Sequence, residues 1–551
     1  MERQIVPKIV TVEQMKQIEA AADAAGWTYA QMMDKAGEAV ARAILSRLVS
    51  PGGRRVVILA GSGNNGGDGL VAGRLLVDAG MQVAVYLARE RPAEDPLLIA
   101  LRDRGCLIAR ASDDQRQRVL ANLLRACDVF LDAVLGTGFR LPLKSDLAEV
   151  LLAARSALEE RGSPPLRVAV DCPSGLDCDT GEIADVAIQA DVTVTLAAMK
   201  AGLLRLPGRK LAGEIVVADI GIDPRQTQLG QVDMEWISAE DVRGWLPERP
   251  PDAHKGTFGT AVIAAGSINY PGSAGLAGRA AYRVGAGLVT LAVPAAIQPL
   301  LVSAILEATW VLLPEEMGVI AKGGAEILRN ELGRATALLI GPGFGRDETT
   351  RGFLERLLST PKDSASRGDI GFVHQAASLS SLASALPPLV VDADGLRLLA
   401  DLPDWPKRIP PQTILTPHPG EMAALTGEPV EALQTDRLAT ARGWAAEWGH
   451  VVVLKGAHTV VAEPNGRTAV LPFATAALAR AGTGDVLAGA IVGLRAQGVG
   501  AYESAVLGGF LHGRAGELAA ENAGGVDGVL ASDVIACLGK AIQETRLRPA
   551  A

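Results

Sequence analysis

This sequence predicts an α/β protein of two domains, the first a doubly wound parallel sheet. Three observations carry that reading. Short apolar runs of strand length alternate with stretches of helical apolar spacing along most of the chain. Run after run ends in glycine beside a polar residue, as strands do when they deliver functional groups at their C-terminal ends. The 551 residues, 48% of them hydrophobic, also exceed what one core usually organises. With 62 glycines and only 4% aromatics, the composition suits many strand-to-helix turns. A formal net charge of -9 excludes a general nucleic-acid or anionic-membrane surface. The five cysteines, an odd number without metal-like pairs, read as reduced thiols. Residues 1–10 hold no apolar signal core, and no uncharged apolar run is long enough to span a bilayer. A soluble, cytoplasmic protein with no nucleic-acid and no membrane partner is expected.

Thr11 opens a helix with Met15, Ile18, Ala22 and Ala25 at apolar spacing. A second helix is predicted over 28–48, with Met32, Met33, Ala36, Val40 and Ile44 on its buried side; methionine at this spacing is core material. Val56-Val-Ile-Leu-Ala60 reads as a buried strand. It runs through Gly61-Ser-Gly-Asn-Asn-Gly-Gly-Asp-Gly69 into a helix over 70–79. Gly61, Gly63 and Gly66 satisfy G-x-G-x-x-G in a strand–turn–helix setting. Asn64, Asn65 and Asp68, however, add polar donors, acceptors and cation-ligating oxygens. Such a loop suits a nucleotide-like ligand, with or without an ion, rather than a bare pyrophosphate turn.

Further strands are expected at 82–87, 129–135, 166–170, 192–196 and 215–220. Polar residues fall at their ends. Asp132 interrupts Val129-Phe-Leu-Asp-Ala-Val134, and Gly136-Thr-Gly-Phe-Arg140 follows. Asp171-Cys-Pro-Ser-Gly-Leu-Asp177 closes the next strand, and Lys200 lies just past Thr193-Val-Thr-Leu196. Any one of these acids fits a strand-end turn; together at one sheet edge they make a pocket.

The motifs A-G-S-G-N-N-G-G-D-G, L-D-A-V-L-G-T-G-F, V-D-C-P-S-G-L-D and T-L-A-A-M-K, in that order over about 11–225, resemble the NAD(P)H-hydrate epimerases. The resemblance implies a Rossmann-like first domain. Its substrate would be held by Asn64, Asn65, Gly66, Gly67 and Asp68 and by the loop Gly136, Thr137, Gly138, Phe139, Arg140, Leu141 and Pro142. Leu141 departs from the small residue expected after Gly-Phe-Arg. The resemblance also implies a potassium ion on Asn65, Asp132 and Ser174. Asp171 and Lys200 would then lie nearest the reacting carbon.

Residues 222–238 lack a sustained apolar pattern and read as a linker, dividing the chain into 1–225, a linker at 226–238, and 239–551. The strand–glycine–polar pattern then returns. His254-Lys-Gly-Thr-Phe-Gly259 precedes a strand at 260–265, and Gly285-Ala-Gly287 precedes one at 288–293. Strands at 337–340, 389–391, 413–415 and 451–454 lead into Gly341-Pro-Gly-Phe-Gly345, Asp392-Ala-Asp394, Thr416-Pro-His-Pro-Gly-Glu421 and Lys455-Gly-Ala-His-Thr459. His418, held between two prolines, points to a position-specific contact. Lys455 either lies over a nucleotide or is a solvated turn lysine. Asp392 and Asp394 either hold magnesium and its water or cap a helix. In Arg480-Ala-Gly-Thr-Gly-Asp485, Gly482, Thr483 and Gly484 open an apolar helix over 486–494. Free N–H groups and the helix dipole favour an anion there. Asp485 is set to take a proton from a hydroxyl while those amides hold a transferring phosphoryl group. Residues 360–388, rich in Ser and Ala, read as a surface insertion.

H-K-G-x-x-G, G-P-G-F-G, D-A-D-G-L, T-P-H-P-G-E, K-G-A-H-T and A-G-T-G-D-V-L-A-G resemble the ribokinase-like superfamily and, within it, the ADP/ATP-dependent NAD(P)H-hydrate dehydratases, over about 239–545. This implies a ribokinase-like second domain. Its substrate would be bound by Ser273, Gly343, His418 and Asp485, and its nucleotide by Lys455, Gly456, Ala457, His458, Thr459, Gly482, Thr483 and Gly484. Magnesium would enter with ADP or ATP. The pair of resemblances implies a homo-oligomeric enzyme that epimerises R and S NAD(P)HX and dehydrates the S form. Two rival readings remain: a small-molecule kinase that leaves the phosphate on its product, and a first domain that only senses a nucleotide.

Overall fold

The computed structural model describes residues 8–359 and 386–547. The stretch read as an insertion, 360–388, lies outside the described residues except for its last three positions. The chain divides into two compact units, Met1–Glu235 and Trp236–Ala551. The predicted linker holds a short helix, Thr227–Gly230, and a strand, Met234–Trp236, at the point of division.

The first unit opens on two capped helices, α1 (Val12–Ala24) and α2 (Tyr29–Leu45). Thr11 accepts the Gln14 N–H at 3.2 Å, and the Gln14 side chain accepts the Thr11 N–H at 2.9 Å, a capping box that satisfies two helix-end donors. Thr28 and Gln31 repeat it at 3.3 and 2.9 Å. Helix α2 ends at Leu45, short of the predicted 48, and Ala25 caps α1 in the open rather than joining its buried stripe. Seven parallel strands follow: β1 (Arg55–Ala60), β2 (Gln82–Leu87), β3 (Leu107–Arg110), β4 (Val129–Ala133), β5 (Leu166–Val170), β6 (Val192–Leu196) and β7 (Glu214–Ala218), in the order β3-β2-β1-β4-β5-β6-β7. The sheet is buried on both faces. Val56, Ile58 and Ala60 of β1 enter one core while Val57 and Leu59 enter the other, the two-residue period of a strand. Strand order reverses between β1 and β4, which opens a crevice at their C-terminal ends.

Helix α3 (Asn64–Asp78) begins six residues before the predicted 70. Packing explains the difference. A Cβ on Gly66 would stand 2.1 Å from the Gly61 carbonyl oxygen, one on Gly67 2.7 Å from the Met33 side chain, and one on Gly69 2.5 Å from Ala133. The glycines therefore let α3 lie against β1, β4 and α2, and the polar residues between them become helical. Strand β3 went unpredicted because it is an edge strand with only partial burial.

The second unit holds β8 (Thr260–Ala264), β9 (Leu288–Pro294), β10 (Thr309–Leu313), β11 (Ala337–Ile340), β12 (Leu389–Val391), β13 (Ile414–Leu415), β14 (Val451–Leu454), β15 (Val460–Ala462) and β16 (Thr468–Val470). They lie in the order β16-β15-β14-β13-β12-β11-β8-β9-β10, with Met234–Trp236 completing a ten-stranded sheet beside β16. Pairing is parallel from β10 to β14 and antiparallel through β14, β15 and β16. The unpredicted strands here are β10, a partly exposed edge strand, and β15 and β16, each three residues long. Helices α4 (Gly272–Arg283) and α5 (Thr483–Ala496) cross closely: a Cβ on Gly489 would lie 2.2 Å from the Ala277 carbonyl oxygen. That approach sets the N-terminus of α5 beside that of α4.

Gly489→Ala should destabilise the second unit by about 1–3 kcal/mol, the usual cost of overpacking. Gly443→Ala, in the exposed middle of the helix Arg437–Trp448 with no atom within 4 Å of the added Cβ, should stabilise it by about 0.5–1 kcal/mol. Urea denaturation with amide exchange across α5 measures both. Equal behaviour of the two variants would contradict this account of the α4–α5 crossing.

Candidate active sites

In the first unit a cavity of about 770 Å³ lies over the ends of β1, β4, β5 and β6. Asp171, just past β5, has φ +64, a left-handed conformation that a non-glycine residue adopts at a cost. Its Oδ1 accepts from the Leu196 N–H at 3.1 Å, the Thr195 hydroxyl at 3.4 Å and Lys200 Nζ at 2.5 Å. Lys200, 1% exposed, also donates to the Leu196 carbonyl at 2.7 Å. Burial works against the ammonium, but attraction to Asp171 prevails and its pKa lies above the ordinary lysine value. Asp171 lines the cavity with its Oδ2 outside this set of bonds.

Asp68, on the second turn of α3, lines the same cavity. Burial first, then the charges of Asp171 and Glu19, push its pKa well above the ordinary aspartate value. Glu19, from α1, is raised too, by burial against the pull of Lys200. Lys16, Glu19 and Tyr29 join the lining, and only their place beside the buried stripes of α1 and α2 marks them in the sequence. Asn64, Asn65, Gly136, Thr137, Gly138, Phe139, Arg140 and Pro142 also line it. Leu141 does not, nor do Gly66 and Gly67, whose lack of side chains is required by packing.

Asn65, Asp132 and Ser174 are brought together around the Leu135 main chain. Ser174 donates its hydroxyl to Asp132 Oδ1 at 2.5 Å and its N–H to Oδ2 at 2.8 Å. The Leu135 N–H donates to Ser174 Oγ at 3.0 Å, and Asn65 Nδ2 donates to the Leu135 carbonyl at 2.8 Å. Burial raises the Asp132 pKa, with the Ser174 bonds opposing it. Asn65 Oδ1 is buried without a hydrogen-bond partner. An amide oxygen left bare beside a carboxylate and a hydroxyl is a hard-oxygen set that fits an alkali cation. Among the described residues no group of three or more His, Cys, Asp or Glu is arranged to hold a metal.

In the second unit Asp485 is the third residue of α5, and Gly482, with φ +88, is its N-cap. The Thr483 hydroxyl donates to the Leu478 and Arg480 carbonyls, both at 2.8 Å, and so pins the turn. Burial, then the charge of Asp392, raises the Asp485 pKa to about 7 against a hydrogen bond from Ser273. A Cβ on Gly343 would lie 2.9 Å from Ser273, so these two sequence-selected residues adjoin Asp485.

Lys455 Nζ bonds Asp392 Oδ1 at 2.7 Å and lies 3.5 Å from Glu421 Oε2. It is thus a partly buried ion-pair lysine rather than a solvated turn residue. Asp392 also accepts from the Thr416 hydroxyl at 2.7 Å, while its Oδ2 is buried without a partner. Asp394 accepts the Gly345 N–H at 3.0 Å; neither acid caps a helix. His418 caps the helix Pro419–Thr426, accepting the Gly420 N–H at 2.9 Å, with Nε2 3.2 Å from Glu421. A cavity of about 400 Å³ is lined by Lys455, Gly456, Ala457, Thr459, Thr483 and Gly484, together with Leu471, Phe473, Leu478 and His512. His458 is not in that lining: with φ +53, its ring packs 5.0 Å from Trp236.

The chain matches the family model described as NAD(P)H-hydrate dehydratase over residues 261–539, and that of the YjeF-related protein N-terminus over 29–202. It is 38% identical over 478 residues to the bifunctional NAD(P)H-hydrate repair enzyme of Moorella thermoacetica, covering 86% of this chain and 84% of that one. It is 34% identical to the enzyme of the same name from Escherichia coli K12, over 94% of this chain and 90% of the relative. A crystal structure of ADP/ATP-dependent NAD(P)H-hydrate dehydratase from Bacillus subtilis, with ATP and Mg²⁺, aligns at 32% identity over 56% of this chain and 98% of that chain, with a TM-score of 0.44. By the extent of these matches, the chain belongs to the family of bifunctional NAD(P)H-hydrate repair enzymes.

Proposed function

We propose that the two units act in sequence on hydrated nicotinamide nucleotides. The first is an NAD(P)H-hydrate epimerase, and the second an ADP/ATP-dependent NAD(P)H-hydrate dehydratase. The observation that carries the reading is Asp485: a partly buried carboxyl raised to a pKa of about 7, in the first turn of a helix whose N-terminal amides suit a phosphoryl group.

In the first unit the hydroxyl on C6 of the ring must leave and return on the opposite face. Asp68, whose protonated form burial favours, gives a proton to the departing hydroxyl as the C–O bond breaks and water forms. Asp171 Oδ2 takes a proton from the water that adds back. Lys200 holds Asp171 Oδ1 and so aims the carboxylate. Two carboxyls with divergent environments thus divide the acid and base roles. Asn65, Asp132 and Ser174 are the residues to hold potassium, which when bound supplies a fixed positive charge beside the cavity.

In the second unit Asp485 removes the proton from the S-hydroxyl as its oxygen attacks the terminal phosphoryl of ADP or ATP. The amides at Gly482–Gly484 and the Lys455 ammonium stabilise the charge that develops. Phosphate then leaves C6 and C5 gives up a proton as the C5=C6 double bond forms, and NAD(P)H, phosphate and AMP or ADP are released. Magnesium, entering with the nucleotide, would meet the bare Oδ2 of Asp392 and supply charge neutralisation on the phosphates.

Because the base must be ionised, dehydratase kcat/KM should rise with pH, reach half its plateau near pH 7 and level off above. Asp485→Asn should lose that limb and fall by roughly 10²–10⁴-fold, read as recovery of reduced-nicotinamide absorbance with phosphate release. A variant near wild-type turnover would move the base elsewhere, and phosphate retained on the product would make the second unit a kinase. Epimerisation should strengthen with potassium over tetramethylammonium, and Asn65→Ala should abolish that difference. Indifference of the wild type to the cation would remove the ion from the first site.

A further inference from the structure

The chemistry above leaves one polar atom in the second cavity without a role. His512 lies on α6 (Ala501–Ala523), between Gly509 and Gly513. Those glycines let α6 lie flat on its neighbours: a Cβ on Gly509 would stand 2.5 Å from Leu471, and one on Gly513 2.1 Å from Phe473. The ring is 8% exposed and lines the cavity. Its Nε2 is buried without a hydrogen-bond partner. Burying an imidazole nitrogen unpaired costs on the order of 1–3 kcal/mol, so the site that retains it has a use for it.

The lining divides by chemistry. Lys455 and the main chain at Thr483 and Gly484 suit phosphate, whereas Leu471, Phe473 and Leu478 suit a flat base. We infer that His512 reads that base: its Nε2 accepts a hydrogen bond from the exocyclic amino group of an adenine nucleotide. The inference deepens the dehydratase reading and rests on it. Two facts leave Nε2 to the base. Burial depresses the ring to a pKa of about 4, so it is neutral near pH 7 and has one donor and one acceptor nitrogen. Nε2 is also the nitrogen that finds no partner in the protein. A 6-oxo purine would set its own carbonyl lone pairs against that nitrogen, and a purine without a 6-substituent would leave it unpaired.

The test compares ATP with the triphosphate of purine riboside, which lacks only the 6-amino group, in the full chain with (S)-NADHX. One hydrogen bond gives the wild type roughly tenfold discrimination in kcat/KM, carried by KM. In His512→Phe, and independently in His512→Leu, the ratio should fall to near one. Melting curves identify which variants are folded. An unchanged ratio in a folded variant, or no discrimination by a wild type that consumes ATP, would overturn the assignment. A wild type that consumes neither triphosphate and no ADP with (S)-NADHX would instead overturn the dehydratase reading, and this inference with it.

Discussion

A lysine held against a buried aspartate at the C-terminal edge of a sheet is the constraint on which both sites depend. Lys200 bonds Asp171 at 2.5 Å in the first unit, and Lys455 bonds Asp392 at 2.7 Å in the second. An uncompensated buried charge costs several kcal/mol, so neither partner can leave without destabilising its loop. The pairing also shapes the acids nearby. Asp68 and Asp485 share the burial and feel the paired aspartates as like charges, and both are pushed toward the protonated form. Each unit thus holds one carboxylate paired to a lysine and one pushed toward its protonated form. That difference between chemically similar groups is what acid–base catalysis near neutral pH requires.

The glycines have two separate duties. Gly66, Gly67, Gly489 and Gly513 are required where helix meets strand, helix or ring, and each brings a neighbouring polar residue into place. Asn65 and Asp68 reach the first cavity because α3 sits so close to β1 and β4, and His512 reaches the second because α6 lies on Leu471 and Phe473. Gly482 serves instead through its backbone, since φ +88 turns the chain into α5 and exposes the first-turn amides.

Much of this was legible in the sequence, because parallel strands buried on both faces read as continuous apolar runs with their polar ends marked by glycine. Asp132, Asp171, Lys200 and Asp485 could be picked out on that basis. Strands with one poor face escaped it: Leu107–Arg110 and Thr309–Leu313 lie at sheet edges and carry no clean alternation. Glu19 and Tyr29 escaped as well, because their approach to the cavity depends on how α1 and α2 dock, not on local pattern. The converse failure is His458. It stands inside a glycine motif that reads as ligand-binding, yet its left-handed backbone sends the ring against Trp236. Motif spacing shows which residues are near a site but not which way a side chain turns.

The central claim is that each unit carries a complete site of its own, joined to the other only by a shared substrate. Chromatography that resolves the epimers, run on an R/S mixture of NADHX with ADP or ATP, tests it most directly. The wild type should consume both epimers. Lys200→Ala should exhaust S and stall with R remaining, apart from slow spontaneous epimerisation. Asp485→Asn should interconvert the epimers without producing NADH. Loss of both activities in either folded variant would contradict the claim and show that the chemistry is shared between the sites.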